Sequence, residues 1–272
     1  MAQLGDFRTR VVTASIIGPA ALLCIWWGGY WWSGLILLCM VGLGWEWVRL
    51  CGGSSRRLPG FLVPGVTLLA ATSTILGWPV LALVVLLAGA GAAWAIGPSG
   101  GLPPFWLGLG VMYIGLAGVA LLVLRHDPDV GRNNVVFLFL VIWASDISAY
   151  LAGRSLGGPK LAPRVSPNKT WSGSLGGLLG AVSVGVLVAM LIGAEVSIWQ
   201  AALVAAVLGV ATQSGDMFES WMKRRSGVKD SSGLLPGHGG LLDRLDGVLA
   251  ASPVAALIAL IGGPGGDLWR WI

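Results

Sequence analysis

Apolar residues in this chain come in continuous runs close to 20 residues long, without the period-2 alternation of a half-buried strand, and short polar stretches separate them. A run of that length, rising about 1.5 Å per residue, crosses a hydrocarbon core of roughly 30 Å as a helix. Only helices and closed barrels satisfy the backbone in lipid, and continuous rather than alternating apolar runs select helices. The pattern predicts about nine spans, over 11–29, 32–50, 60–77, 79–95, 105–124, 135–151, 174–193, 197–214 and 246–262. The expected fold class is therefore all-α, a polytopic integral membrane helix bundle. Trp78 and Pro79 alone separate the third and fourth runs, which predicts a tight hairpin or a partly re-entrant pair.

Composition agrees with this pattern. Hydrophobic residues make up 56% of the chain and charged residues 11%, against about 25% charged in a soluble domain; mean hydropathy is +0.82. The first run follows Arg8 and Arg10, as in a signal peptide, but no small-x-small cleavage site precedes the cluster Trp26, Trp27, Tyr30, Trp31 and Trp32. It reads as a retained span whose aromatic residues lie at the far interface. Cys24, Cys39 and Cys51 have no metal-ligand spacing and read as free thiols.

The formal charge of +5 changes the picture through its placement. With the N-terminus cytoplasmic, all but Arg125, Arg132 and Arg270 of the 17 Lys and Arg residues fall on the cytoplasmic side. This asymmetry orients the chain and argues against nucleic acid as the partner, because the cations sit in short loops beside spans. The polar loops 152–173 and 215–245 then face the cytoplasm together. Residues 1–134 form an N-terminal membrane region of about five spans, and 135–272 a catalytic region containing both loops. The turns at 51–59 and 96–104 need no functional reading. Gly173, Gly177 and Gly180 are spaced for close helix packing, and a glycine-rich bundle also suits a homodimer.

Two constellations carry candidate chemistry. In the first, Asp146 and Tyr150 share a helix face at the start of the loop, followed by Arg154, Lys160, Arg164 and Lys169, with Ser166, Asn168 and Thr170 among them. Cations, hydroxyls and glycines in that arrangement can wrap a phosphate. In the second, Asp216, Ser220 and Lys223 fall at helical offsets of four and three, followed by Arg224, Lys229, Asp230, the turn Pro236-Gly237-His238-Gly239-Gly240, and Asp243, Arg244 and Asp246. Bringing Asp216 to Asp243 or Asp246 would pair hard oxygen ligands, which suits Mg²⁺ with substrate phosphates. A lone His238 is weak support for zinc and fits better as a hydrogen-bonding group. These parts suit phosphoryl or nucleotidyl transfer, where metal and cations meet accumulating negative charge and in-line positioning does the rest. Glu46, the only acidic residue in the first five spans, is either a functional group or a side chain reaching the interface beside Arg49.

The segment S-x-x-K-R-x(4)-K-D, then P-G-H-G-G, then D-R-x-D, here Ser220 to Asp246, resembles the signature of the phosphatidate cytidylyltransferases, the CDP-diacylglycerol synthases. The upstream SDISAYLAGRSLGGPKLAPRVSPNKTW and the N-terminal FRTRVVTA are similar to further blocks of that family, and the strong matches cover mainly 143–250. The resemblance implies the reaction of CTP with phosphatidate to give CDP-diacylglycerol and pyrophosphate with Mg²⁺, a second cation remaining open, in the bacterial inner membrane with its site on the cytoplasmic side. It implies that Asp216 and Asp243, with Asp246 a close third, are metal-linked. Lys223, Arg224, Lys229 and Arg244 would hold phosphates, and Ser166, Lys169 and Thr170 would belong to the adjoining substrate loop. One position departs: Ser172 stands where the family commonly has Glu. If that Glu is a helix cap, Ser172 can serve equally well.

Other readings remain on the sequence alone. A CTP-dependent polyprenol kinase would need a similar phosphate site but would transfer the γ-phosphoryl group. CDP-alcohol phosphotransferases carry a D-G-x-x-A-R motif that is missing here. A transporter would place its charges near the midplane, whereas these cluster at one face.

Overall fold

The computed structural model of the chain describes residues 2–52, 58–96, 104–192, 197–263 and 268–269. Among them are nine helices, α1 (Ala2–Trp27), α2 (Gly29–Leu50), α3 (Leu58–Ile75), α4 (Pro79–Ile96), α5 (Pro104–His126), α6 (Gly131–Leu156), α7 (Trp171–Ile192), α8 (Ile198–Arg225) and α9 (Leu242–Gly262). Two short strands, β1 (Lys160–Ala162) and β2 (Ser166–Thr170), complete the set. Six helices, α2 and α5 to α9, are long and apolar enough to cross a membrane by length and composition. The other three contain shorter apolar stretches, Ser15–Trp27, Gly60–Ile75 and Pro79–Ala95. The protein is thus an all-α membrane protein with one small hairpin. Arg56, Arg57 and Arg270, used in the charge asymmetry, lie outside the described residues, as do most of the turns at 51–59 and 96–104 and the side chains of Arg8 and Arg10.

Several helices outlast the apolar runs that announced them. α8 continues to Arg225, beyond the expected end at 214, and α6 continues to Leu156, beyond 151. Backbone hydrogen bonding does not stop where hydropathy drops, so the polar ends of both helices remain ordered supports for charged side chains. The expected loop 152–173 also contains the antiparallel pairing of β1 with β2, with Lys160 opposite Thr170 and Ala162 opposite Ser166.

Packing divides the chain into two units, Met1–Leu122 with Met222–Leu245, and Val123–Trp221 with Asp246–Ile272. This partition by packing is separate from the expected partition by chemistry at 134/135. In the first unit α2 packs on α1 and α3, and α3 on α4. The α3–α4 connection is the expected tight hairpin. Gly77 turns the chain at φ 88°, a left-handed conformation that glycine adopts without penalty, and Pro79 starts α4 where its missing N–H costs nothing. The indole of Trp47, buried in this unit, donates to the Trp106 carbonyl at 2.8 Å, and that of Trp32 to the Leu121 carbonyl at 3.0 Å. Both polar tips are thereby satisfied inside an apolar core. All three cysteines are free, and burial pushes the Cys51 thiol up to about 12, which keeps it neutral and unreactive.

In the second unit α7 lies against α6 along the predicted glycines. A Cβ at Gly177 would stand 2.9 Å from the Ser145 carbonyl oxygen, and one at Gly173 the same distance from that of Ala149. Gly215 of α8 meets the Asp246 backbone of α9 in the same way. The aromatic rings of Phe137 and Trp269 meet at a tilt of 39° with centroids 4.8 Å apart, and the Leu268 N–H donates to Asn134 Oδ1 at 2.8 Å.

If the α6–α7 contact is as close as these distances state, Gly177→Leu should destabilise the protein by about 1–3 kcal/mol through overpacking. Gly65→Leu should not, because a Cβ there meets nothing within 4 Å. Thermal unfolding of the two variants in the same detergent checks this.

Candidate active site

Helical spacing in α8 puts Asp216, Glu219 and Ser220 on one side, near the end of the helix. Gly215, by lacking a side chain, lets the backbone of α9 approach, and Asp246 arrives beside them. Asp216, Glu219 and Asp246 each offer a carboxylate oxygen, all within 4.8 Å of one another. Glu219 is buried, 2% exposed. Like charges crowded this closely repel, so the cluster calls for cations. One is present, since Lys169 forms an ion pair with Asp216. Three hard oxygen donors at this spacing could also hold a divalent metal. Ser220 Oγ lies 3.4 Å from Asp216 Oδ1, a weak donor contact. No His or Cys joins a metal-ligating group among the described residues.

A cavity of about 550 Å³ opens beside Asp216 in the same unit. Asp146, Tyr150 and Arg154 of α6 line one wall, and Asn168, Lys169 and Thr170 of β2 another. Arg154 donates to the Tyr150 hydroxyl at 2.5 Å and lies over its ring, which holds the guanidinium against Tyr150. Thr170 Oγ1 accepts from the Gly173 N–H at 3.1 Å and so caps α7. The expectation that Ser172 would serve as this cap is therefore corrected: its hydroxyl turns back to the Gly157 carbonyl and to Thr170. Gln213 ties α8 to α7, its Nε2 donating to the Ser174 carbonyl at 3.1 Å. Ser166 stands at the start of β2, half-buried.

The first unit holds the remaining predicted residues. Lys223 Nζ donates to Asp243 Oδ1 at 2.7 Å. Asp243 also accepts from the Ser231 N–H at 3.0 Å, the Ser231 hydroxyl at 3.1 Å and the Gly240 N–H at 3.0 Å. N–H and O–H groups of Lys223, Ser231 and Gly240 therefore surround it. The turn closes by the Leu235–Gly239 bridge, with Gly237 and Gly239 at φ 76° and 84°, where side chains are strained. Arg244 clasps the His238 carbonyl through Nε at 3.0 Å and its terminal nitrogen at 2.6 Å. His238 Nδ1 is buried without a hydrogen-bond partner. Arg224, Lys229 and Asp230 are exposed at the end of α8 and in the turn after it.

Three acceptors and donors escaped the sequence reading. Glu219 lies three residues from Asp216 on the same helix, a spacing that could have found it. Nothing in the local sequence marks Ser231 and Ser232, because their partner Glu46 is 185 or more positions away. Glu46 itself does not reach the interface beside Arg49; it is wholly buried.

Known proteins resemble the chain along nearly its whole length. The pattern of the cytidylyltransferase family matches residues 8–261. A phosphatidate cytidylyltransferase of Brucella abortus biovar 1 is 40% identical over 267 residues, covering 95% of this chain and 94% of that protein. The protein of the same name from Pseudomonas aeruginosa is 35% identical over 280 residues, covering 95% and 98%. One from Staphylococcus epidermidis is 37% identical over 150 residues, 55% of this chain and 58% of that protein. With a match spanning the carboxylate cluster, the cavity and the Lys223–Asp243 pair alike, the chain belongs to the cytidylyltransferase family.

Proposed function

We propose that the protein is a phosphatidate cytidylyltransferase, joining CTP and phosphatidate into CDP-diacylglycerol with release of pyrophosphate. The observation that carries this reading at the level of the site is the carboxylate cluster Asp216, Glu219 and Asp246 beside a cavity lined by Lys169 and Arg154. Oxygen-only donors suit Mg²⁺, which keeps several waters and shares its sites with substrate phosphates. Asp216 and Asp246, with Glu219 beside them, would hold the ion. When bound, it supplies charge stabilisation at the phosphates.

The chain's own residues do the remaining work. Lys169 and Arg154 draw the triphosphate to the cavity and neutralise its charge by charge-assisted hydrogen bonds. Lys223, with Arg224, Lys229 and Arg244, is assigned to the lipid phosphate. The lipid phosphate is already largely ionised at neutral pH, so no side chain need remove a proton from it. Asp243 enters this scheme as the carboxylate that holds Lys223 in place, and the metal-linked role expected of it passes to Asp246. His238 Nδ1, buried and without a partner, is available to a ligand group. The phosphatidate acyl chains stay in lipid while the headgroup reaches the helix ends. We further infer that α1, α3 and α4 also cross the bilayer, making nine spans, and that the N-terminus and the site face the cytoplasm, in a bacterial inner membrane.

Purified protein given α-labelled CTP, phosphatidate and Mg²⁺ should put label into lipid, and γ-labelled CTP should not; the reverse result identifies a kinase instead. Asp216→Asn and Asp246→Asn should each lower turnover at least about 100-fold, more than loss of an outer-shell partner costs, and chelation should stop the reaction until Mg²⁺ is restored.

For the orientation, Gly233 offers an exposed position where a Cβ meets nothing within 4 Å. In a background lacking the native cysteines, Gly233→Cys should resist an impermeant thiol reagent in intact cells and react once the membrane is opened. Labelling in intact cells would reverse the assigned topology.

A further inference from the structure

Glu46 of α2 is 0% exposed. A carboxylate in such a place is costly unless donors surround it. Its donors all come from one distant segment. Oε1 accepts the Leu241 N–H at 2.8 Å and the Ser232 hydroxyl, and Oε2 accepts the Leu242 N–H at 2.6 Å and the Ser231 hydroxyl at 3.3 Å.

Two of these donors are the backbone N–H groups where α9 begins. The first turn of a helix leaves such groups without intrahelical partners, and its dipole favours an anion there. The residue preceding α9 is Leu241, whose side chain cannot accept a hydrogen bond. Glu46 therefore supplies from another helix the cap that the local sequence lacks.

The network does not end at the cap. Ser231 Oγ stands between Glu46 Oε2, at 3.3 Å, and Asp243 Oδ2, at 3.1 Å. Asp243 in turn holds the Lys223 ammonium at 2.7 Å. Gly240 is enclosed by both acids: a Cβ there would lie 3.0 Å from Glu46 Oε1 and from Asp243 Oδ2. Ser231 joins the two acids: its single hydroxyl hydrogen is shared between them, and its N–H donates separately to Asp243 Oδ2 at 3.0 Å, so the contacts run from Glu46 through Ser231 and Asp243 to Lys223, all within the first unit.

We propose that Glu46 is a positioning residue. It fixes the 231–242 turn against α2, and through that turn holds Asp243 and Lys223 in the geometry that meets phosphate. The inference deepens the function proposed above and rests on it for the role of Lys223. Two acceptor oxygens with no donor hydrogen are essential to the arrangement. Glutamine is nearly the same shape but places an NH₂ group against an N–H or hydroxyl donor, so Glu46→Gln breaks one side of the clamp. Glu46→Asp keeps the charge on a shorter side chain and should rescue part of the effect. Ser232→Ala removes a single donor and provides a milder lesion.

The test compares these variants by steady-state kinetics, thermal unfolding in detergent and hydrogen exchange of residues 231–242. Glu46→Gln should remain folded yet lose about 10- to 100-fold in kcat, with KM for phosphatidate raised as well, because Lys223 meets the lipid phosphate before as well as during the transfer. Exchange of the Leu241 and Leu242 amides should accelerate, with Glu46→Asp and Ser232→Ala intermediate. Wild-type kcat in Glu46→Gln overturns the proposal, and so does unaltered exchange at Leu241 and Leu242. Activity lost only in step with global unfolding across all variants, Ser232→Ala included, also overturns it, since Glu46 would then serve stability alone. The exchange measurement does not depend on the reaction assigned to the protein. If the wild-type chain made no CDP-diacylglycerol, the functional reading would fail while the clamp was still judged by exchange.

Discussion

A carboxylate taken out of water must be met by N–H or O–H donors or by a cation, because its desolvation otherwise costs several kcal/mol. Each unit of this chain answers that demand in its own way. In the first, Glu46 and Asp243 are filled by donors from the protein itself: backbone amides at the start of α9, two serines and Lys223. In the second, Asp216, Glu219 and Asp246 stand together with the Lys169 ammonium paired to Asp216. Glu46 and Asp243 are thereby tied into the 231–242 turn, whereas Asp216, Glu219 and Asp246 bring carboxylate oxygens within 4.8 Å of one another.

These ties and the cluster both depend on helices that extend past their apolar stretches. Had α8 stopped at 214, Asp216, Glu219 and Ser220 would lie on an irregular loop and their common face would be lost. Sites supported by regular elements hold their geometry more tightly than sites on loops. Small residues complete the scaffold. Gly215 admits the α9 backbone next to Asp216, and Gly177 admits α6, so the carboxylate cluster rides on helices packed at close range.

The helical class and most of the charged constellation were legible in the sequence because each rests on local information. Runs of apolar residues announce helices, and Asp216, Ser220 and Lys223 announce a face by spacing alone. Long-range pairing was not legible. The partners of Glu46 lie 185 to 196 positions away, so nothing near Glu46 separated a buried clamp from a side chain bound for the interface. The β1–β2 hairpin was missed because Pro163, Pro167, Lys160 and Lys169 resemble a solvated loop rather than the alternating β-branched residues of a strand. Ser172 misled for a related reason: Thr170, two positions earlier, already occupies the cap, and only coordinates reveal where the second hydroxyl turns. That Lys223 pairs with Asp243 while Asp246 gathers beside Asp216 likewise shows only in the coordinates.

We assign the metal site to the acids beside Asp216, with Asp243 serving Lys223. Anomalous diffraction from crystals of the protein grown with CTP and Mn²⁺ tests it most directly. A peak is expected about 2.2 Å from carboxylate oxygens of Asp216 and Asp246, close to the distances of hard divalent ions. Manganese bound through Asp243, with Asp216 and Asp246 outside its coordination sphere, would contradict it.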